Sequence, residues 1–161
     1  MKKVIVFVCH GNICRSTMAE FLFRRLLEQK GLDDRFEVFS RATSTEESGN
    51  PVHRGVRPIL DRLGIDYSAK RAQRITRAEC DRADLIVAMD HNNLRNLKPF
   101  LGENSHKVSL LLSFAGLDRG IADPWYTGDF DETYRDVSLG CEKLLEHLIE
   151  KENSFLGRWL P

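Results

Sequence analysis

The sequence has no excess charge of either sign: 24 lysines and arginines stand against 24 aspartates and glutamates, a formal net charge of zero. Such a chain has no global field to draw it to nucleic acid or to an acidic membrane, so any anion affinity must come from a local pocket. It has no long apolar run either. Val4 to Val8, behind Lys2 and Lys3, is too short for a secretory signal, and no stretch is long enough to span a bilayer. The cysteines are few, at positions 9, 14, 80 and 141, with no Cys-x-x-Cys pairing of the zinc-binding kind. That usage fits reduced thiols in a cytoplasmic protein. No repeat, low-complexity tract or linker divides the 161 residues, which suffice for one domain, 1–161, with a core of its own.

What is present is an alternation of strand and helix signals. Val4-Ile5-Val6-Phe7-Val8 is a β-branched and aromatic run suited to a strand covered on both faces. From Thr17 the period changes, with Met18, Phe21, Leu22 and Leu26 at helical spacing and Gly31 as the stop. Phe36 to Ser40 predicts a second strand, and Val56, Ile59, Leu60 and Leu63 a helix ending at Gly64. Ala83 to Met89 predicts a third strand leading into a helix capped near Asp90, and Lys107 to Leu110 a weaker fourth. Val137, Cys141, Leu144, Leu145 and Leu148 mark a last long helix from about Asp131, ahead of a tail, 154–161, in which Trp159 and Leu160 dock or fray. The alternation implies an α/β fold with a parallel sheet.

The chemistry gathers between the first strand and the first helix, in Cys9-His10-Gly11-Asn12-Ile13-Cys14-Arg15-Ser16. In an open α/β sheet the ligand site lies beyond the carboxyl ends of the strands. A loop that opens a helix can turn its unpaired N–H groups and the helix dipole toward one anion. The same field favours a thiolate, so Cys9 could attack phosphorus without a separate base. Arg15 would hold two oxygens of the anion with its guanidinium fork. Gly11 lets the backbone bend close to the ligand, and Asn12 and Ser16 hydrogen-bond the loop, the Ser16 hydroxyl reaching the thiolate. The bland alternative, Cys9 as a small core residue and Arg15 as a surface charge, leaves Gly11, Asn12 and Ser16 unexplained. In the long polar stretch 116–130, Asp123-Pro124-Trp125-Tyr126 offers a carboxylic acid beside a stiff proline and bulky rings. Alone it reads as a turn. Paired with Cys9, Asp123 becomes a candidate general acid.

These residues, Val8-Cys9-x-Gly11-Asn12-Ile13-Cys14-Arg15-Ser16-x-Met18-Ala19-Glu20, resemble the low-molecular-weight protein tyrosine phosphatases. The likeness continues through Ser40 to Ser44, Gly49-Asn50-Pro51, Ala88-Met89-Asp90-x-x-Asn93-Leu94 and Asp123 to Tyr126. It implies a four-stranded parallel sheet flanked by helices on both faces, a phosphocysteine intermediate and no metal or other cofactor. By resemblance Cys9 is the nucleophile, Arg15 the phosphate clamp and Asp123 the acid and then the base. Asn12, Ser16 and Ser40 form the network holding the loop. Cys14 matches a second loop cysteine that can form a reversible disulfide with the nucleophile; simple packing explains it as well. Ile13 goes with phosphotyrosine, where relatives acting on phosphoarginine carry threonine. Trp125 and Tyr126 supply an aromatic wall for a phenyl ring. The implied partner is a phosphotyrosine-containing protein or peptide, with the enzyme a monomer or weakly self-associating.

Three positions depart from the family pattern. Thr17 replaces a proline and is expected to cap the helix. Glu46 replaces a wall tryptophan and should weaken the grip on acidic phosphopeptides. His10 replaces an uncharged residue, either as a rim residue facing solvent or as a cation supporting the thiolate. The segment Lys70 to Arg74 carries no readable role. A protein-arginine phosphatase is the nearest rival function. Arsenate reductase is a more distant one, since only Cys80 and Cys141 follow and they are not a close pair.

Overall fold

A computed structural model describes the backbone of residues 1–157 and the side chains of residues 1–152. Four parallel strands, β1 (Lys3–Cys9), β2 (Phe36–Ala42), β3 (Leu85–Ala88) and β4 (Val108–Leu110), form one sheet in the order β2-β1-β3-β4. The chain leaves β1 to one side to make β2 and later returns on the other side to make β3. The crevice between β1 and β3, at their carboxyl ends, is therefore the topological switch point where an α/β sheet holds its ligand.

Period-two alternation along β1 feeds two cores. Ile5, Phe7 and Cys9 face a layer built by α1 (Arg15–Gln29), α2 (Arg57–Arg62) and α6 (Phe130–Gly157). Val4, Val6 and Val8 face α3 (Arg77–Arg82) and α4 (His91–Leu101). Strands buried on both sides need apolar residues at every position, which is why Val4 to Val8 reads as an unbroken run. On the α1 side Phe7 and Phe23 meet edge to face at 5.6 Å, both fully buried.

The expected strands and helices are present, with three local differences. Helix α1 starts at Arg15 rather than Thr17, and Thr17 is not its cap: Cys14 holds that position and no side chain caps it. The third strand is two residues shorter at its start than Ala83 would allow, because Ala83 terminates α3, a helix that hydrophobic periodicity does not show. Its signal lies in the capping box, Thr76 accepting from Glu79 N–H while the Glu79 side chain returns to Thr76 N–H. Finally, the stretch 116–130 contains one short helix, α5 (Pro124–Thr127). Helix α6 runs through Ser154 to Gly157, and Trp159 and Leu160 lie outside the described residues. Among the described residues no helix is long and apolar enough to cross a membrane.

The Phe7–Phe23 contact ties β1 to α1 directly behind the loop that joins them. Phe23→Ala should lower unfolding free energy by about 3–5 kcal/mol in urea titration. A loss below ~1 kcal/mol would show that α1 is held elsewhere.

Candidate active site

Strand β1 delivers Cys9 to the switch point, and the chain wraps around its sulfur before entering α1. Cys9 Sγ lies 3.0 Å from Ser16 Oγ and 3.3 Å from the Asn12 N–H, which donates to it. The residue holding this curvature is Asn12, at φ 60°, the left-handed region that asparagine tolerates better than most. Gly11 lines the same loop without a positive φ, and a Cβ there would lie 3.2 Å from Cγ of Glu47. It leaves room for the neighbouring wall.

Asn12 is 1% exposed and every polar atom of its side chain is used. Nδ2 donates to Ser16 Oγ at 2.8 Å and Ser40 Oγ at 2.9 Å, while Oδ1 accepts from Gln73 N–H at 3.3 Å. Thr17, placed inside the first turn, donates its hydroxyl to the Asn12 carbonyl at 2.8 Å. It secures the loop instead of capping the helix. Ser40 in turn donates to Glu20 at 2.7 Å, and Glu20 is paired with Lys70 at 3.2 Å and Arg24 at 2.9 Å. Lys70 also donates to the Ser40 carbonyl at 3.1 Å. Burial pulls the Lys70 pKa below the usual lysine value, with Glu20 pulling the other way. The segment without a readable role thus supplies the far end of a buried chain of hydrogen bonds that begins at Asn12.

Arg15 is 2% exposed. Its Nη1 donates to Asp90 at 2.6 Å and to the Ile121 carbonyl at 2.8 Å, and Nη2 faces Asp123 at 3.4 Å. Burial alone would lower the guanidinium pKa, but Cys9, Asp90 and Asp123 together raise it. Asp90, which the sequence marks only as a helix cap, does both jobs: Oδ1 caps α4 through Asn93 N–H and Oδ2 anchors Arg15. Asp123 arrives because Ile121 N–H donates to the Met89 carbonyl at the end of β3, at 2.8 Å. Its other carboxylate oxygen accepts from Trp125 N–H at 3.0 Å.

Together these residues line a pocket of about 110 Å³, formed by Cys9, His10, Gly11, Asn12, Ile13, Cys14, Arg15, Glu46, Glu47, Asp123, Trp125 and Tyr126. All the loop residues singled out from sequence are there except Ser16, which supports Cys9 from behind; Ser40 is also behind the loop. Trp125 and Tyr126 stand at the mouth, 57% and 84% exposed. His10 is a rim residue: its Nε2 meets Glu46 at 2.9 Å and Ser44 at 3.4 Å, not the Cys9 sulfur. Cys14 is a free, buried thiol whose pKa is pushed well up, by burial first and then by the charges of Cys9 and Asp123. Among the described residues no group of three or more His, Cys, Asp or Glu is placed to hold a metal ion.

A family model described as low molecular weight phosphotyrosine protein phosphatase matches residues 4–154. The chain belongs to this family. The low molecular weight protein-tyrosine-phosphatase YfkJ of Bacillus subtilis is 39% identical over 152 residues, covering 92% of this chain and 96% of that protein. Its crystal structure superimposes with a TM-score of 0.90 at 36% identity, covering 94% and 97% of the two chains. The low molecular weight protein tyrosine phosphatase SP-PTP of Streptococcus pyogenes matches at 40% identity with a TM-score of 0.81, covering 91% of this chain and 93% of the other. PtpA of Staphylococcus epidermidis is 33% identical over 150 residues, covering 92% of this chain and 96% of that protein. Hydrolysis of phosphotyrosine through a cysteine is the mechanism of the low molecular weight phosphatases, and the family implies phosphotyrosine proteins as substrates.

The Glu20–Lys70 pair makes a separable prediction about this phosphatase. Glu20→Gln leaves a buried cation with weaker partners and should cost about 3 kcal/mol in urea unfolding, whereas Glu20→Gln combined with Lys70→Met should recover most of it. Additive losses in the double variant would mean the two side chains are not coupled.

Proposed function

We propose that Cys9 is the nucleophile, Arg15 the phosphate ligand and Asp123 the proton donor of a two-step phosphotyrosine hydrolysis. The observation that carries this reading is Arg15 itself, a buried cation beside Cys9 that also faces Asp123 at 3.4 Å. In the first step the Cys9 sulfur lone pair forms an S–P bond as the P–O bond to the tyrosine ring breaks. Asp123 gives its proton to the departing phenol oxygen. In the second step the Asp123 carboxylate takes a proton from water, whose oxygen attacks phosphorus. The S–P bond breaks, the Cys9 thiolate is restored and inorganic phosphate leaves. Ser16 and the Asn12 N–H stabilise the thiolate in both steps. Arg15, with the N–H groups at the start of α1, stabilises the charge on the equatorial oxygens. No cofactor or metal enters either step.

Phosphotyrosine is favoured over shorter phosphoamino acids by depth, since Cys9 is 3% exposed and the aromatic wall of Trp125 and Tyr126 rises above it. Ile13, 7% exposed and lining the pocket, supports phosphotyrosine over phosphoarginine. His10, Gly11, Cys14 and Glu46 complete the binding surface, and Ser40 holds the loop from behind. We further infer a single domain, 1–161, acting in the cytoplasm as a monomer or weak self-associating species without nucleic-acid or membrane partners. One continuous sheet supports the single domain, and the zero net charge supports the lack of nucleic-acid and membrane partners.

Cys9→Ser should abolish turnover of phosphotyrosine peptides while phosphate or vanadate still binds; retained turnover removes Cys9 as nucleophile. Asp123→Ala should lower kcat/KM by about 10²–10⁴-fold for phenyl phosphate and far less for p-nitrophenyl phosphate. Equal losses on the two esters would remove Asp123 as the acid. A panel of phosphotyrosine, phosphoserine, phosphoarginine and arsenate should give turnover mainly on the first, and preference for phosphoarginine would overturn the substrate assignment.

A further inference from the structure

One histidine with no part in the chemistry above stands between the phosphate loop and the turn that carries Asp123. His53 N–H donates to the Ile13 carbonyl at 3.0 Å, which fastens the residue to the loop through the backbone. Its ring lies nearly parallel to Phe130, 19° between planes at 5.2 Å, and meets Trp125 edge-on at 5.6 Å. Its Nδ1 accepts the Gly55 N–H at 3.0 Å. A Cβ on Gly55 would overlap the Phe130 ring, so a larger residue there would displace that ring. On the other side, Trp125 N–H donates to Asp123, so a displacement of Trp125 pulls on the carboxylate.

We propose that His53 is a positioning residue that clamps the Asp123-Pro124-Trp125 turn to the phosphate loop and so fixes Asp123 over Cys9. The proposal rests on the phosphatase reading of the pocket. Trp125 is more than half exposed, and His53 is the aromatic partner that steadies it. Stacking alone could be supplied by any ring. The hydrogen bond from Gly55 could not, since it needs an unprotonated Nδ1. The environment agrees: burial and then Arg54, with Arg57, hold the His53 pKa below the usual histidine value against the opposite pull of Glu47 and Asp123. A lowered folded-state pKa means that the clamp's contribution is complete above pH 6.5, the ordinary value, and is lost as pH falls below it.

The test compares two esters and one fluorophore in the full-length protein. His53→Ala should lower kcat/KM about tenfold for phenyl phosphate and only about twofold for p-nitrophenyl phosphate, because a displaced acid matters most where the leaving oxygen needs its proton. His53→Phe, which keeps a ring but offers Gly55 no acceptor, should fall between wild type and His53→Ala. Trp125 emission should shift to the red in His53→Ala, with Trp125→Phe giving the background from Trp159, the other tryptophan. Equal losses on both esters, or unchanged Trp125 emission, would overturn the proposal. Should His53→Ala not fold, His53→Asn, which restores an acceptor near Nδ1 without the ring, is judged by the same two criteria. If the wild type turns over neither ester, the phosphatase reading fails, and Trp125 emission alone decides whether His53 positions the turn.

Discussion

A buried guanidinium in a molecule of zero net charge is the constraint around which the site is organised. Taking Arg15 out of water is expensive, and only opposite charge and well-formed hydrogen bonds can offset it. Asp90 and the Ile121 carbonyl take one side of the fork, and Cys9 and Asp123 supply negative charge near the rest. These partners come from the end of β1, the end of β3 and the chain that runs beside β3. The sheet order is what makes that possible: β1 and β3 are neighbours whose connections leave in opposite directions, so their carboxyl ends are open to each other. Satisfying Arg15 and bringing Cys9 opposite Asp123 are one structural problem with one solution.

The loop itself is held from behind. A left-handed Asn12 costs conformational energy, and it persists because four neighbours fix it: Ser16, Ser40, Thr17 and the Gln73 N–H. Ser40 passes the chain on to Glu20 and Lys70, so the loop's shape is secured by an ion pair between α1 and the segment that carries Lys70. Such a network is costly if one member is lost and rigid if all are present. Rigidity is what the proposed phosphate-binding role requires, since donors that stabilise a transition state must already point at it.

The sequence shows these features unevenly, for physical reasons. Strands buried on both faces announce themselves as apolar runs, and the loop is legible because Cys9, Asn12, Arg15 and Ser16 are close in the chain and each has a distinct chemistry. Helix α3 is not, since only Cys80 of its six residues is buried and periodicity has nothing to register. Glu20 and Lys70 are fifty residues apart and read separately as surface charges; only folding makes them a pair. Asp90 is legible as a cap but not as the anchor of Arg15, because a carboxylate's second oxygen leaves no mark in sequence. Thr17 misleads in the opposite way, having the right chemistry for a cap and the wrong position.

The three departures from the family pattern fall on either side of a physical boundary. Thr17 lies inside the buried network, and there the change is absorbed by a specific new bond to the Asn12 carbonyl. His10 and Glu46 lie outside it, paired with each other at 2.9 Å but 44% and 70% exposed. An exposed pair of that kind is worth ~0–1 kcal/mol to stability, so it can vary without disturbing the fold. On the proposed reading it stands where a phosphotyrosine peptide would cross to reach Cys9, and charge at a rim acts on encounter and selection more than on chemistry. Burial thus divides the site: the loop and Arg15 are fixed by groups that cannot be left unpaired, and the rim is left to side chains that can.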